Sequence, residues 1–192
     1  TRARVGRITF RGERVEELAP HERARRGLVR TFQSLELFDD LTVRENLLVA
    51  AEKPTWWSFI VDLLRPPKTS AEHEARVGDA LSVLGLGDIA DRLPMDLSHG
   101  QRKLVGVARA VVARPKLLLL DEPAAGLDTA ETAELSEILR RLPDLGTSVL
   151  LVDHDMALVM GICQVINVLD FGRVIATGSP TQVRADPLVV AA

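Results

Sequence analysis

Residues 114–128, RPKLLLLDEPAAGLD, end an apolar run on two adjacent carboxylates, Asp121 and Glu122. Along a strand, successive side chains point to opposite faces. One carboxylate can therefore hold a hydrated Mg²⁺ while the other faces a water molecule. That division of labour suits phosphoryl transfer, in which positioning and charge neutralisation supply most of the catalysis. By itself an Asp-Glu pair is as readily a solvated strand end, so its company elsewhere matters. Leu97-Ser98-His99-Gly100-Gln101 stands just before an amphipathic run. Ser98 can cap a helix there, and Gly100 admits close approach to the backbone. A helix N-terminus favours an anion, phosphate above all, although an ordinary N-cap needs no ligand. His154 follows a second apolar run and can hydrogen-bond a terminal phosphate or serve structure alone. Gln33 follows a third, at 28–32, and can bind a metal-bound or attacking water; alone it carries almost no information.

The elements that must position these residues follow from punctuation and period. Pro115 and Pro123 enclose residues 116–122, too short for a helix and suited to a strand buried on both faces. Such a parallel strand carries its ligand groups at its carboxyl end. A weak edge strand is expected over 6–11, ending at Gly12. A polar helix over 20–26 stops at Gly27. Thr42 and Glu45 form a capping box, and the chain is expected to stay helical to about residue 93. Within it Val77, Ala80, Leu81 and Leu84 share one face. The piece from Trp56 and Trp57 to Leu64 reads as a docking surface if exposed and as core if packed. Alternation resumes with helix 100–113, strand 116–121, helix 128–142, strand 147–152 and helix 156–162. A hairpin follows, 165–169 with 173–176, and Ser179-Pro180 opens a last helix. The expected organisation is an α/β core, 1–41 and 98–192, interrupted by an all-helical unit, 42–97.

At 192 residues, 46% apolar and 27% charged, the chain reads as a globular core with room for a small subdomain. A net charge of −3 offers nucleic acid no general field. Four His and one Cys, Cys163, leave little for a Cys/His metal site and fit a reducing compartment. No apolar stretch approaches the roughly 20 residues of a membrane span, and the start has no apolar signal region. Opening on Thr1, the sequence suggests a segment of something longer.

Taken in order, Gln33, LSHGQ, LLLLDEP, AGLD and His154 resemble the motif series of the ATP-binding cassette (ABC) ATPases, over nearly the whole chain. The resemblance implies a P-loop NTPase-type core, mainly parallel, with ATP and Mg²⁺ as cofactors. Gln33 is then similar to the Q-loop glutamine near the metal, and 97–101 to the signature motif. Asp121 is similar to the metal ligand through water, Glu122 to the general base, and His154 to the switch histidine. Asp128 is similar to the D-loop aspartate at the dimer interface. In this family two subunits pair head to tail, so Ser98, His99, Gly100 and Gln101 would serve the partner's nucleotide. The runs VRTFQSLELFDDLTVRENLLVA, VDHDMALVMGI and FGRVIATGSPTQVRADP further resemble ATPase subunits of branched-chain amino-acid importers. That implies membrane permease partners, a peripheral place on the cytoplasmic face, and a groove near 33–42 for a permease helix.

The family also needs G-x-x-x-x-G-K-[ST]. The lysines here are Lys53, Lys68, Lys103 and Lys116, and none follows a glycine. That motif and the family's adenine-stacking aromatic are expected before Thr1, so residues 1–192 alone are expected to bind ATP poorly. His99 stands where glycine is usual and must point away from the partner's phosphate. Asp153 stands where glutamate is frequent, with little expected consequence. Two alternatives remain: a catalytically silent interaction module, and a DNA-repair type ABC ATPase. The latter carries very long inserts, whereas Gln33 and Ser98 are only 65 positions apart. Gly85-Leu86-Gly87-Asp88-Ile89-Ala90 imitates a dinucleotide fingerprint but follows a helix. Asp170-Phe171-Gly172 imitates a kinase triplet but reads as a hairpin turn, and Asp153-His154-Asp155 lacks further ligands at metal spacing.

Overall fold

The leucine run forms β4, Leu117–Asp121, and its two faces differ. Leu118 and Leu120 are fully buried, whereas Leu117, Leu119 and Asp121 are half-buried. Burial on both faces was the expectation; among the described residues only one face is fully covered, because the packed elements gather on the Leu118 side. The computed structural model describes residues 6–31, 37–51 and 71–191. Gln33, Trp56 and Trp57, and the helical expectation over 52–70, lie outside them.

β3, Leu28–Arg30, and β5, Ser148–Val152, flank β4 in the parallel order β3-β4-β5. Arg30 lies opposite Leu119, and Asp121 opposite Val152. Parallel pairing brings all three carboxyl ends to one edge, so residues following each strand meet there. The other edge of β5 faces β6, Ile166–Asp170, across a groove in which Leu150, Val152 and Leu169 are more than half exposed.

Two hairpins complete the strands. β1, Thr9–Phe10, pairs with β2, Glu13–Arg14, across Arg11 and Gly12, both at positive φ, 53° and 85°. A single edge strand over 6–11 is thus corrected to a tight primed-type turn between two short strands. β6 pairs with β7, Arg173–Gly178, across Phe171 and Gly172, as the hairpin reading of Asp170-Phe171-Gly172 required.

Helices α1, Pro20–Arg25, α2, Val43–Ala51, and α3, Ala71–Val83, precede the main packing helix α4, His99–Val112. Val43 and Leu47 of α2, Val77 and Leu81 of α3, and Leu104, Val105 and Ala108 of α4 share one core with Leu118 and Leu120. α5, Thr129–Arg141, closes it through Leu135, Ile138 and Leu139. Truncating one such buried leucine, Leu47→Ala for instance, costs about 2–5 kcal/mol. Gly85 takes φ +65° and Gly87–Ile89 form a 3₁₀ turn, so the dinucleotide-like stretch joins helical segments. α6, Met156–Ile162, follows β5, and α7, Pro180–Ala185, and α8, Pro187–Ala191, end the described chain.

Candidate functional site

At the carboxyl edge of β4, Arg30 Nη2 donates to Asp121 Oδ2 at 2.7 Å. Arg30 sits opposite Leu119, two residues before Asp121 on the same face, which lets the guanidinium reach across. Both side chains are partly exposed, so the pair is worth only about 0–1 kcal/mol to stability. Its main effect is orientation: Oδ2 is held and Oδ1 has no bond among the described residues. Sequence reading missed Arg30.

Glu122 then turns the chain off the strand in a left-handed conformation, φ 49°. That costs a non-glycine residue about 1 kcal/mol or more. Its N–H still donates to Val152 O at 2.7 Å, extending the β4–β5 ladder one residue past the strand end. The result directs the Glu122 carboxylate toward the end of β5, where Oε1 lies 3.8 Å from His154 Nδ1.

Between them stands Asp153, its side chain 1% exposed. Asp153 Oδ2 accepts from Ala124 N–H at 3.2 Å and Oδ1 from Asp155 N–H at 2.9 Å. It thereby ties the segment after β4 to the segment after β5. The aspartate that stands where glutamate is frequent thus has a buried linking role. Asp followed two residues later by its own turn N–H was the available signal.

The second group of residues gathers at the start of α4. Ser98 is its N-cap: Oγ accepts from Gln101 N–H at 3.1 Å, and Gln101 Oε1 accepts from Ser98 N–H at 3.0 Å. Asp128 caps α5 likewise, accepting from Glu131 N–H at 2.8 Å, while Glu131 Oε2 accepts from Asp128 N–H at 3.1 Å. Glu131 also receives the Ser98 hydroxyl at 3.5 Å. Gly100 is buried beneath that carboxylate, and a Cβ there would stand 2.2 Å from Glu131 Oε1. The His99 ring faces Gly126 of its own chain, with Nε2 3.4 Å from where a Cβ of residue 126 would lie. Lys103, one turn further on, donates to the carbonyls of Pro123 and Ala125. Burial lowers its pKa, against the opposing pull of Asp153, Glu122 and Glu131.

Asp121, Glu122 and His154 therefore meet at one edge, and Ser98, His99, Gly100 and Asp128 form an adjoining group joined through Glu131 and Gly126. Gln33 is two residues beyond Thr31, whose N–H still pairs with Leu119 O at 3.0 Å. Among the described residues no cluster of three or more His, Cys, Asp or Glu could hold a metal. One carboxylate with an open oxygen suits magnesium bound largely through phosphates, the usual manner for that ion, and does not suit a free-standing protein site.

A parallel α/β sheet with an acidic central strand, a histidine on the next strand end and a capped glycine-bearing helix beside them defines a nucleotide-hydrolase core. The chain belongs to the ABC transporter family: the model described as ABC transporter matches residues 1–125. It is 40% identical over 191 residues to the high-affinity branched-chain amino acid transport ATP-binding protein LivG of Salmonella typhimurium, covering 97% of this chain and 75% of that protein. BraF of Pseudomonas aeruginosa, of the same description, is 39% identical over the same shares. Among solved structures, the ADP conformation of MJ1267, an ATP-binding cassette of an ABC transporter, superposes with a TM-score of 0.83 at 29% identity. That match covers all of this chain and 77% of MJ1267. The P-loop NTPase-type fold and the nucleotide-binding, ATPase character of the chain's family stand on these matches.

Proposed function

We propose that the chain is the ATP-hydrolysing subunit of an importer for branched-chain amino acids. Identity to LivG and BraF along nearly the whole chain supports that cargo class. The observation carrying the catalytic reading is the convergence of Asp121, Glu122 and His154 at one sheet edge. In this reading Glu122 accepts a hydrogen bond from the attacking water and draws off its proton. His154 donates to the terminal phosphate, and Asp153 fixes the backbone on which both are carried. Asp121, held by Arg30, keeps Oδ1 for a magnesium ion that would neutralise charge developing on the phosphates, and Gln33 would bind a metal-bound or attacking water. Ser98, His99, Gly100 and Gln101 serve the nucleotide of a second subunit paired head to tail, and Asp128 lies at that interface. The dimeric post-hydrolysis structure of MJ0796 bound to ADP and Pi, 25% identical with a TM-score of 0.70, supports a paired arrangement.

The surface this reading offers the permease is the groove near 33–42, of which residues 37–42 are described. Asn46, fully buried, accepts from Phe38 N–H and donates to the carbonyls of Phe38, Leu41 and Thr42, pinning that loop. Phe38 is 44% exposed, and the Arg109 guanidinium lies 5.3 Å from its ring centre. No described helix is long and apolar enough to cross a membrane. On its likeness to importer ATP-binding proteins, this reading places the chain against a permease on the cytoplasmic face. The core, 1–41 and 98–192, hydrolyses nucleotide, and the 42–97 unit relays the movement.

The test is Glu122→Gln in the assembled transporter. Loss of general-base assistance is expected to lower phosphate release about 10²–10⁴-fold. Turnover within two-fold of the parent would overturn the assignment.

A further inference from the structure

Residues 123–128 carry the chain from Glu122 to the Asp128 cap of α5 without forming a regular element. Their own backbone bonds use alternate carbonyls: Ala125 N–H donates to Glu122 O at 3.2 Å, and Leu127 N–H to Ala124 O at 3.0 Å. The Pro123 and Ala125 carbonyls, which alternate with these two, are left out of that pattern. Lys103 Nζ takes both, Pro123 O at 3.1 Å and Ala125 O alongside. An ammonium is suited to this, having three donors on a long stem that can reach over a turn.

The stem begins on the first turns of α4, five residues after Ser98. The His99 ring faces Gly126 of the same loop, and Glu131 of α5, just past it, lies over Gly100 and receives Ser98 Oγ. The start of α4 is thus held both to the loop after Glu122 and to the first turn of α5. Lys103 is the point nearest Glu122.

We propose that Lys103 is a positioning residue that fixes the Glu122 loop to the first turn of α4, so that residues 98–101 and the Glu122 carboxylate move as one piece. The proposal rests on the reading of Glu122 as the base and of 98–101 as the face toward a second subunit's nucleotide. Its consequence is a route between two nucleotides: contact at residues 98–101 alters where Glu122 stands in its own site. The link is made by side chains rather than by a continuous element.

Amide hydrogen exchange of the chain tests the anchoring directly. Lys103→Met keeps the apolar stem and removes the ammonium, and exchange at residues 124–127 is expected to accelerate roughly ten-fold. Lys103→Arg, which can also span two carbonyls, should restore the parental rate. Lys103→Gln, with one donor group, gives an intermediate rate and serves if the Met variant does not fold. Unchanged exchange in Lys103→Met or in Lys103→Gln would overturn the proposal.

In the ATP-hydrolysing assembly Lys103→Met should lower kcat roughly ten-fold with KM for ATP nearly unchanged, the pattern of a lost transition-state contact. Lys103→Arg should recover it. Faster exchange with an unaltered kcat would overturn the catalytic half of the proposal. Glu122→Gln run in parallel separates the two readings: activity surviving there refutes the base assignment, whereas loss there with normal Lys103→Met turnover refutes only this inference.

Discussion

A methyl group at residue 100 probes how firmly the start of α4 is held. It would meet Glu131 Oε1 at 2.2 Å, and the other oxygen of that carboxylate is engaged by the Asp128 N–H. Gly100→Ala is therefore expected to evict Glu131 from its capping box and to cost about 1 kcal/mol, read from urea unfolding. Glu131→Ala removes the obstacle, so the double variant should be no less stable than Glu131→Ala alone. A Gly100→Ala penalty persisting in that background would locate the obstacle elsewhere. The Ser98 cap was read from sequence, and the Asp128 cap, although its partner likewise stands three residues on, was not. Arg30 and Lys103 were not, nor was the bond from Asp153 to Ala124. Their partners are a carboxylate 91 positions away and backbone groups 20 and 29 positions away, and backbone groups leave no mark on residue type.

At the scale of elements, the start of α2 carries a charge-dependent cap. Glu45 Oε2 accepts from both the N–H and the hydroxyl of Thr42 at 2.8 Å. These bonds, the backbone one foremost, hold the Glu45 carboxyl below the usual glutamate range. A lowered folded-state pKa means the contribution is fully present above the ordinary glutamate value and is lost as pH falls through the lowered one. Thermal unfolding of parent and Glu45→Gln is thus expected to differ near neutrality and to converge on acidification through that window. A difference that stayed constant to acid pH would refute the role of charge. Both Thr42 and Glu45 were evident in the sequence, as were the strands between turn signals and the β6–β7 hairpin. The β1–β2 hairpin was not, because two-residue strands have no period to detect. The uneven burial of β4 was hidden for a different reason: a run of four leucines looks alike whether one face is covered or two.

For the whole molecule, the order β3-β4-β5 turns three distant sequence positions into one rim, and that order is a property of parallel pairing rather than of any motif. The motif series identified which residues to expect there; only the pairing places Glu122 and His154 within 3.8 Å. Nucleotide affinity, however, depends on more than this rim. In phosphate-binding loops the triphosphate is cradled by successive backbone N–H groups and a lysine, and the 192 residues contain no G-x-x-x-x-G-K-[ST]. Lys103 cannot substitute, since its ammonium is spent on Pro123 and Ala125. Among the described residues what remains for one ATP is Asp121 through its metal, His154 and Glu122, and two of these three are anionic groups that repel phosphate unless magnesium intervenes. Titration of residues 1–192 with Mg-ATP, followed by calorimetry, is therefore expected to give a Kd of about 1 mM or weaker, no more than about 4 kcal/mol of binding. Adding excess magnesium should strengthen it and chelation abolish it, because Asp121 and Glu122 meet the phosphates as anions while the Arg30 guanidinium is already paired with Asp121. Micromolar affinity from these residues alone would mean that a cradle exists among them that neither the motif nor the rim accounts for.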